Sequence, residues 1–147
     1  MNYYIMHSHA TFDTEPYTVE GRKSWFESYG AGRYQLLVAE DSKQILGCCY
    51  SSRYREKAAF DMTVETSIYL TSEYRGRGIG AALYTALFCR LKEQPVHLAV
   101  AGIALPNESS IALHRKFGFE EIGTFREYAR KNERMISSTW FQRRIQS

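Results

Sequence analysis

Apolar and polar positions alternate along the chain in two distinct rhythms. Between Thr63 and Leu70 the period is two: Val64, Thr66, Ile68 and Leu70 fall on one side, Thr63, Glu65, Ser67 and Tyr69 on the other. That is the pattern of a half-buried strand. From Ile79 onward the period lengthens. Ile79, Leu83, Leu87 and Leu91 recur every four residues, with Ala82 and Ala86 beside them, which predicts an amphipathic helix running to about Gln94 and stopped by Pro95. Earlier, Tyr3, Tyr4 and Ile5 read as the end of a short helix and residues 10–17 as loop. Thr18 caps a second helix that ends near Tyr29 and Gly30, with Trp25, Phe26 and Tyr29 as its expected buried stripe. Strands are predicted at about 34–40, 44–53 and 61–70, the first two joined by the polar turn Asp41-Ser42-Lys43. After Pro95 a strand is expected over 96–101. A helix capped by Asn107 then runs to Phe117 and Gly118, and strands follow near 119–126 and 136–145. A mixed α/β sheet flanked by helices accommodates this order.

Composition narrows the class. The 147 residues suit one compact domain, read as residues 1–147, and 44% hydrophobic residues with 14% aromatics are enough for a core. A net charge of +3 suits an anionic cofactor but is too small and dispersed to argue for nucleic acid. Cys48, Cys49 and Cys89 are odd in number and form no CxxC pair, so neither a disulfide framework nor a zinc site is expected, and a cytoplasmic protein fits best. No apolar run has the length of a membrane span, and Met1-Asn2-Tyr3-Tyr4 does not open a signal peptide. His7 and His9 lack a third ligand nearby, so no metal is expected. His97 reads as an ordinary strand residue, and Arg126, Arg130, Lys131, Arg134, Arg143 and Arg144 as a solvated basic face.

The segment Arg75-Gly76-Arg77-Gly78-Ile79-Gly80 sits between a strand and a helix. Glycines there let backbone approach a ligand, and the amides of the loop and helix N-terminus suit a pyrophosphate. The spacing is neither GxGxxG nor a P-loop. The alternative is a glycine-rich turn with solvated arginines.

With Glu73 and Tyr74 before it, this loop resembles the R/Q-x-x-G-x-G/A acetyl-CoA pyrophosphate loop of the GNAT superfamily of N-acetyltransferases. Thr63-Val64-Glu65-Thr66-Ser67-Ile68-Tyr69-Leu70 resembles the T-V-E-x-S-V-Y-V strand of its phosphinothricin N-acetyltransferase branch. Asn107-Glu108-Ser109-Ser110-Ile111-Ala112-Leu113-His114-Arg115-Lys116-Phe117-Gly118-Phe119 resembles the branch's N-x-x-S-x-x-L-H-x-x-x-G-F helix, and Ala10 to Pro16 its A-T-F-x-x-E-P segment. Three features depart from the pattern. Family members begin with a strand and most of a helix before the point where this chain starts, so a sheet lacking that first strand is expected. In the segment matching G-x-K-x-G-R-W-x-D, Met135 and Ser137 replace tryptophan and aspartate. The F-R-x-R-x-A-Y segment reads Tyr54-Arg55-Glu56-Lys57-Ala58-Ala59-Phe60.

The resemblance implies a GNAT fold, with a mixed, mostly antiparallel sheet, and transfer of acetyl from acetyl-CoA to the primary amine of a small amino-acid-like acceptor. Alternatives are a protein N-terminal or lysine acetyltransferase, or an inactive acyl-CoA-binding module. It places Glu65 as the base that takes the amine proton, against a structural ion pair as the other reading. It gives His114 to the leaving thiolate as proton donor; the other reading is a hydrogen-bonded histidine on the helix surface. Backbone amides of Ile68, Tyr69 and Leu70 would face the thioester, residues Arg75, Gly76, Arg77, Gly78, Ile79 and Gly80 the pyrophosphate, and Asn107, Ser109 and Ser110 the pantetheine arm. Asn107 can equally be only a cap. Arg55 would grip an acidic acceptor group, with Phe12 and Tyr50 as an apolar wall. A homodimer is expected, since the strand near 34–40 would otherwise leave an unpaired edge.

Overall fold

The computed structural model describes residues 1–145. In chain order the elements are α1 (Asn2–His7), α2 (Val19–Glu27), β1 (Leu36–Asp41), β2 (Gln44–Arg53), β3 (Thr63–Leu70), α3 (Ile79–Leu91), β4 (Leu98–Ala104), α4 (Glu108–Lys116), β5 (Glu120–Lys131) and β6 (Arg134–Arg144). The strands form the expected mixed, mostly antiparallel sheet, in the order β1-β2-β3-β4-β6-β5. The chain separates into two compact units. One holds Glu27–Ala101 with the segment from Arg143; the other holds Met1–Phe26 and Gly102–Gln142.

In the first unit, β1 and β2 form a hairpin closed by Asp41 opposite Gln44. Ser42 and Lys43 both have positive φ, 44° and 84°, the two-residue turn whose twist matches its strands. β2 matches its expected span. β3 pairs antiparallel with β2, from Gly47 opposite Leu70 to Arg53 opposite Val64. Its start slips from residue 61 to Thr63 because Ala58–Phe60 turn into a 3-10 helix that Asp61 closes onto the Ala58 carbonyl. On its other side β3 runs parallel to β4, with Thr63, Val64 and Glu65 opposite Leu98, Ala99 and Val100.

α3 covers one face of these strands. Leu83, Leu87 and Leu91 are buried as the spacing implies, but Tyr84 and Phe88 complete the stripe while Ala82 and Ala86 face outward. The reason is the width of a helix face, which takes adjacent residues on successive turns. The Tyr84 hydroxyl donates to Thr66 Oγ1 at 3.4 Å and the Cys49 thiol to the Leu83 carbonyl at 3.5 Å. Each fully buried leucine or phenylalanine contributes about 1.5–3 kcal/mol, and Leu87→Ala would cost about 2–5 kcal/mol. The helix ends at Leu91 rather than Gln94, because Glu93 and Gln94 tighten onto carbonyls three residues back. β4 begins two residues later than expected and continues to Ala104.

In the second unit, Thr18 caps α2 as expected, its Oγ1 accepting from Gly21 N–H at 3.0 Å. The expected buried stripe of α2 is absent: the helix has no buried residue, and Phe26 is 62% exposed. Trp25 instead stacks on the Arg22 guanidinium at 4.0 Å, which lies over Tyr17 at 3.9 Å. β5 and β6 form a long hairpin whose turn residues Asn132 and Glu133 have φ of 51° and 62°. β5 runs past the expected residue 126 because a register shift between Phe125 and Ala129 absorbs Glu127, at φ 49°, whose N–H the Ser137 hydroxyl accepts at 2.8 Å. The expected solvated basic face fails at Lys131. Its side chain is buried and its Nζ donates to the Thr11 carbonyl at 2.7 Å. In the first unit Arg143 is also drawn inward, over the Phe88 ring at 4.3 Å. No helix among the described residues is long and apolar enough to cross a membrane.

Candidate acetyl-transfer site

Pleating puts Glu65, Ser67 and Tyr69 on the face of β3 opposite Val64 and Thr66, which lie under α3. In register beside them on β2 stand Ser52, Tyr50 and Cys48. Glu65 is half-buried, and burial raises its carboxyl above the ordinary 4.5 while the Arg55 guanidinium pulls it back. Arg55 itself is exposed, in the turn after β2, with its guanidinium over the Tyr54 ring at 4.6 Å. Tyr54 in turn meets Phe60 edge-on at 5.6 Å. Glu65 on β3 thus has raised basicity, with the guanidinium of the turn after β2 within electrostatic reach.

Tyr50 is more enclosed than a pocket wall requires. It is buried, stacked on Tyr69 at 6.3 Å and edge-on to Tyr29 at 5.7 Å. Burial pushes its hydroxyl well above the usual tyrosine range, Tyr69 adds to this, and a hydrogen bond with Ser67 offsets part of it. Sequence reasoning assigned Tyr69 only its backbone. The alternation of β3 was the signal that its ring shares the face of Glu65.

The ladder between β3 and β4 stops at Glu65 and Val100, while β3 continues to Leu70. Ile68, Tyr69 and Leu70, all half-buried, belong to this continuation. At its end come Ser72–Tyr74, a 3-10 turn, and then the glycine loop. Gly76 and Gly78 have φ of 75° and 78°, conformations that L side chains resist, and a Cβ at either would meet nothing within 4 Å. Open space therefore lies where a side chain would stand. Gly78 is the N-cap of α3 and no side chain caps it, so the first amides of α3 are left for another acceptor. Gly80 is buried and Ile79 half-buried, anchoring the loop; Arg75 and Arg77 are exposed, Arg77 over the Tyr74 ring at 5.3 Å. These features fit a pyrophosphate at a helix N-terminus.

In the second unit, Asn107 caps α4, accepting from Ser110 N–H at 3.3 Å, and the Ser109 hydroxyl donates to the same oxygen at 3.2 Å. His114 is not on the surface. It is 2% exposed, its ring edge-on to Phe119 at 4.9 Å, and burial lowers its basicity below the ordinary 6.5. Phe12 is 41% exposed and edge-on to Tyr128 at 5.6 Å. The loop carrying it is fixed by Lys131, and by the Tyr17 hydroxyl, which donates to Asp13 at 2.6 Å. Lys131 is the residue that sequence reasoning missed. His7 lies against Tyr3 at 4.9 Å, and His9 Nε2 donates to the Pro106 carbonyl at 2.6 Å. Among the described residues no group of three His, Cys, Asp or Glu is arranged to hold a metal.

A strand that outruns its ladder with β4, a half-buried glutamate and a glycine-capped helix are features that suit an acyl-transfer enzyme. The chain belongs to the acetyltransferase (GNAT) domain family, whose model matches residues 1–140. It is 46% identical over 145 residues to a phosphinothricin N-acetyltransferase of Streptomyces coelicolor, covering 97% of this chain and 85% of that one. It is 34% identical over 134 residues to an L-methionine sulfoximine/L-methionine sulfone acetyltransferase of Pseudomonas aeruginosa, covering 90% and 78%. A phosphinothricin acetyltransferase from Sinorhizobium meliloti, solved in complex with AcCoA, superposes with a TM-score of 0.91 at 32% identity over 97% of this chain and 78% of that one. The chain is an acetyl-CoA-dependent N-acetyltransferase.

Proposed function

We propose that this enzyme acetylates the primary amine of a small amino-acid-like acceptor, of the phosphinothricin and methionine sulfoximine or sulfone type. The observation that carries this is the place of Glu65: half-buried where the β3–β4 ladder ends, within the field of the exposed Arg55 guanidinium. Acetyl-CoA lies with its pyrophosphate on residues 75–80 and its thioester beside the backbone of Ile68, Tyr69 and Leu70. The acceptor's ammonium gives a proton to Glu65, directly or through water. The freed nitrogen attacks the thioester carbonyl, the carbon–sulfur bond breaks, the nitrogen sheds its second proton to water, and CoA leaves as a thiolate that takes up a proton from water. Glu65 suits the first step because burial makes it more basic than an exposed carboxylate, yet Arg55 keeps it ionisable.

Arg55 holds the acceptor's carboxylate or phosphinate through two parallel hydrogen bonds. Asn107, Ser109 and Ser110 meet the pantetheine arm. The enzyme works in the cytoplasm as a homodimer; β1 and β5 are the two edge strands, and Val38, Ile122 and Phe125 on them are 49%, 58% and 58% exposed. Light scattering at micromolar concentration checks the dimer, and a monomer would refute it. The activity is tested by thiol release from acetyl-CoA with phosphinothricin, methionine sulfone, simple alkylamines and lysine peptides. The amino-acid-like acceptors should win by more than about tenfold in kcat/KM, an advantage that Arg55→Ala removes. Equal rates with simple amines, or faster rates with peptides, would overturn the assignment.

A further inference from the structure

His114 occupies an unusual place in α4. Its Nδ1 lies 2.7 Å from the Ser110 carbonyl and 3.4 Å from the Ser110 hydroxyl. A carbonyl only accepts, so Nδ1 carries the proton and donates it. Ser110 is also the residue whose N–H is held by Asn107, and Asn107 Oδ1 accepts from Ser109 as well. One chain of hydrogen bonds therefore runs from the imidazole through Ser110 to Asn107 and Ser109, and so joins all three residues proposed to meet the pantetheine arm. At the other end of the helix, the His114 carbonyl accepts from Phe119 N–H at 3.0 Å while Gly118 N–H donates to Arg115 at 3.0 Å. With Gly118 at φ 79° this is a Schellman stop, and the His114 ring against Phe119 is its usual apolar contact. Phe141 closes the ring in at 6.3 Å.

We propose that His114 is a positioning residue: it braces α4 from Ser110 to Phe119 so that Asn107 and Ser109 present their polar atoms to the cofactor arm, and it passes no proton to the leaving sulfur. This rests on the reading of acetyl-CoA given above. A proton donor would need a second proton on Nε2, making a cation in a site 2% exposed and walled by Phe119 and Phe141. The lowered basicity of the ring agrees with its staying neutral. The thiolate needs no enzymic acid to leave, since thiols are acidic enough, about 8.5 for an ordinary cysteine, for their anions to depart unprotonated and meet a proton in water.

Two substitutions separate bracing from proton transfer. In His114→Asn the amide nitrogen stands where Nδ1 was and can still reach Ser110, yet nothing titrates. In His114→Gln the amide nitrogen stands nearer Nε2 and the Ser110 bond is lost. Bracing requires that His114→Asn keep kcat and the pH–rate profile within about threefold, while His114→Gln raises KM for acetyl-CoA about tenfold with little change in kcat. A loss of about a hundredfold in kcat in both, with the alkaline limb of the profile gone, would make His114 the proton donor and overturn the proposal. The ring's tautomer in the native protein, read by nitrogen NMR from pH 6 to 9, gives an answer that does not depend on any variant folding. The Nδ1–H form should persist throughout, and an imidazolium at pH 7 or above contradicts the proposal. If the native protein binds acetyl-CoA but transfers nothing to any amine, the functional reading fails while the affinity difference between the two variants still decides the brace.

Discussion

Residues 63–80 and residues 120–144 are built in opposite ways. The first stretch, β3 with the glycine loop, works through backbone. Its ladder to β4 ends at Glu65, its glycines take φ of 75° and 78°, and α3 begins on amides that no side chain caps. The second stretch, the β5–β6 hairpin, works through side chains. Lys131 reaches the Thr11 carbonyl, Tyr128 meets Phe12, and Phe125 stacks on Tyr128 at 5.1 Å. Backbone devices constrain which residue types can stand at a position, so they leave a readable motif. Side-chain devices can be assembled from many residues, so they leave little trace.

The comparison can be broken most forcefully at Glu65, the side chain in the first stretch to which the proposed mechanism gives the proton transfer. Glu65→Gln should lower kcat about 10²–10⁴-fold, with the acetyl-CoA Kd by calorimetry unchanged. A proportionate loss of cofactor affinity would make Glu65 a structural residue. The next largest effect concerns the glycines. Gly78→Val should weaken acetyl-CoA binding more than about tenfold, since a branched side chain at φ 78° costs about 1–2 kcal/mol and fills the space over the helix start. Gly102→Ala is the control in the other unit. Its Cβ would lie 2.7 Å from the Trp140 ring, so it should lower Tm and not act through the glycine loop.

In the hairpin, Lys131→Met should cost about 1–3 kcal/mol of stability, seen in denaturant titration, with cofactor affinity intact. The smallest effect is on pH. Glu65 must be ionised to act, so kcat/KM should rise with pH through a value above 4.5. Arg55 lowers that value, hence Arg55→Ala should move the rising limb to higher pH. The folded carboxyl binds its proton more tightly than the unfolded one. Its contribution to stability is therefore fully present below about 4.3 and lost as pH rises through the folded value; Glu65→Gln should flatten that slope.

Much of the unit that holds the first stretch was legible. The alternation of β3, the span of β2, a polar turn after β1 and the leucine series of α3 each follow from local rules that the core enforces, although Asp41, expected in the turn, pairs with Gln44 and leaves the turn to Ser42 and Lys43. The errors fall where a residue type has two physical uses. Trp25 and Phe26 on α2 looked like a buried stripe, yet Trp25 serves Arg22 and Phe26 is exposed. Lys131 looked like its basic neighbours, and only tertiary structure brings Thr11, distant in sequence, to its amine. β5 outran its expected end because the shift at Glu127 breaks the period of two without ending the strand. His114 was legible as a residue of interest but not as a buried one, since its burial depends on Phe119 and Phe141.

The central claim is that the cofactor rests on backbone, along the part of β3 beyond its ladder with β4 and the loop after it. The most direct test is a titration of the isotope-labelled protein with acetyl-CoA, followed by the amide resonances of every residue. The account requires the largest shifts at residues 75–80, together with Ile68, Tyr69 and Leu70. Saturable binding that leaves those amides in place, and moves others instead, would contradict it.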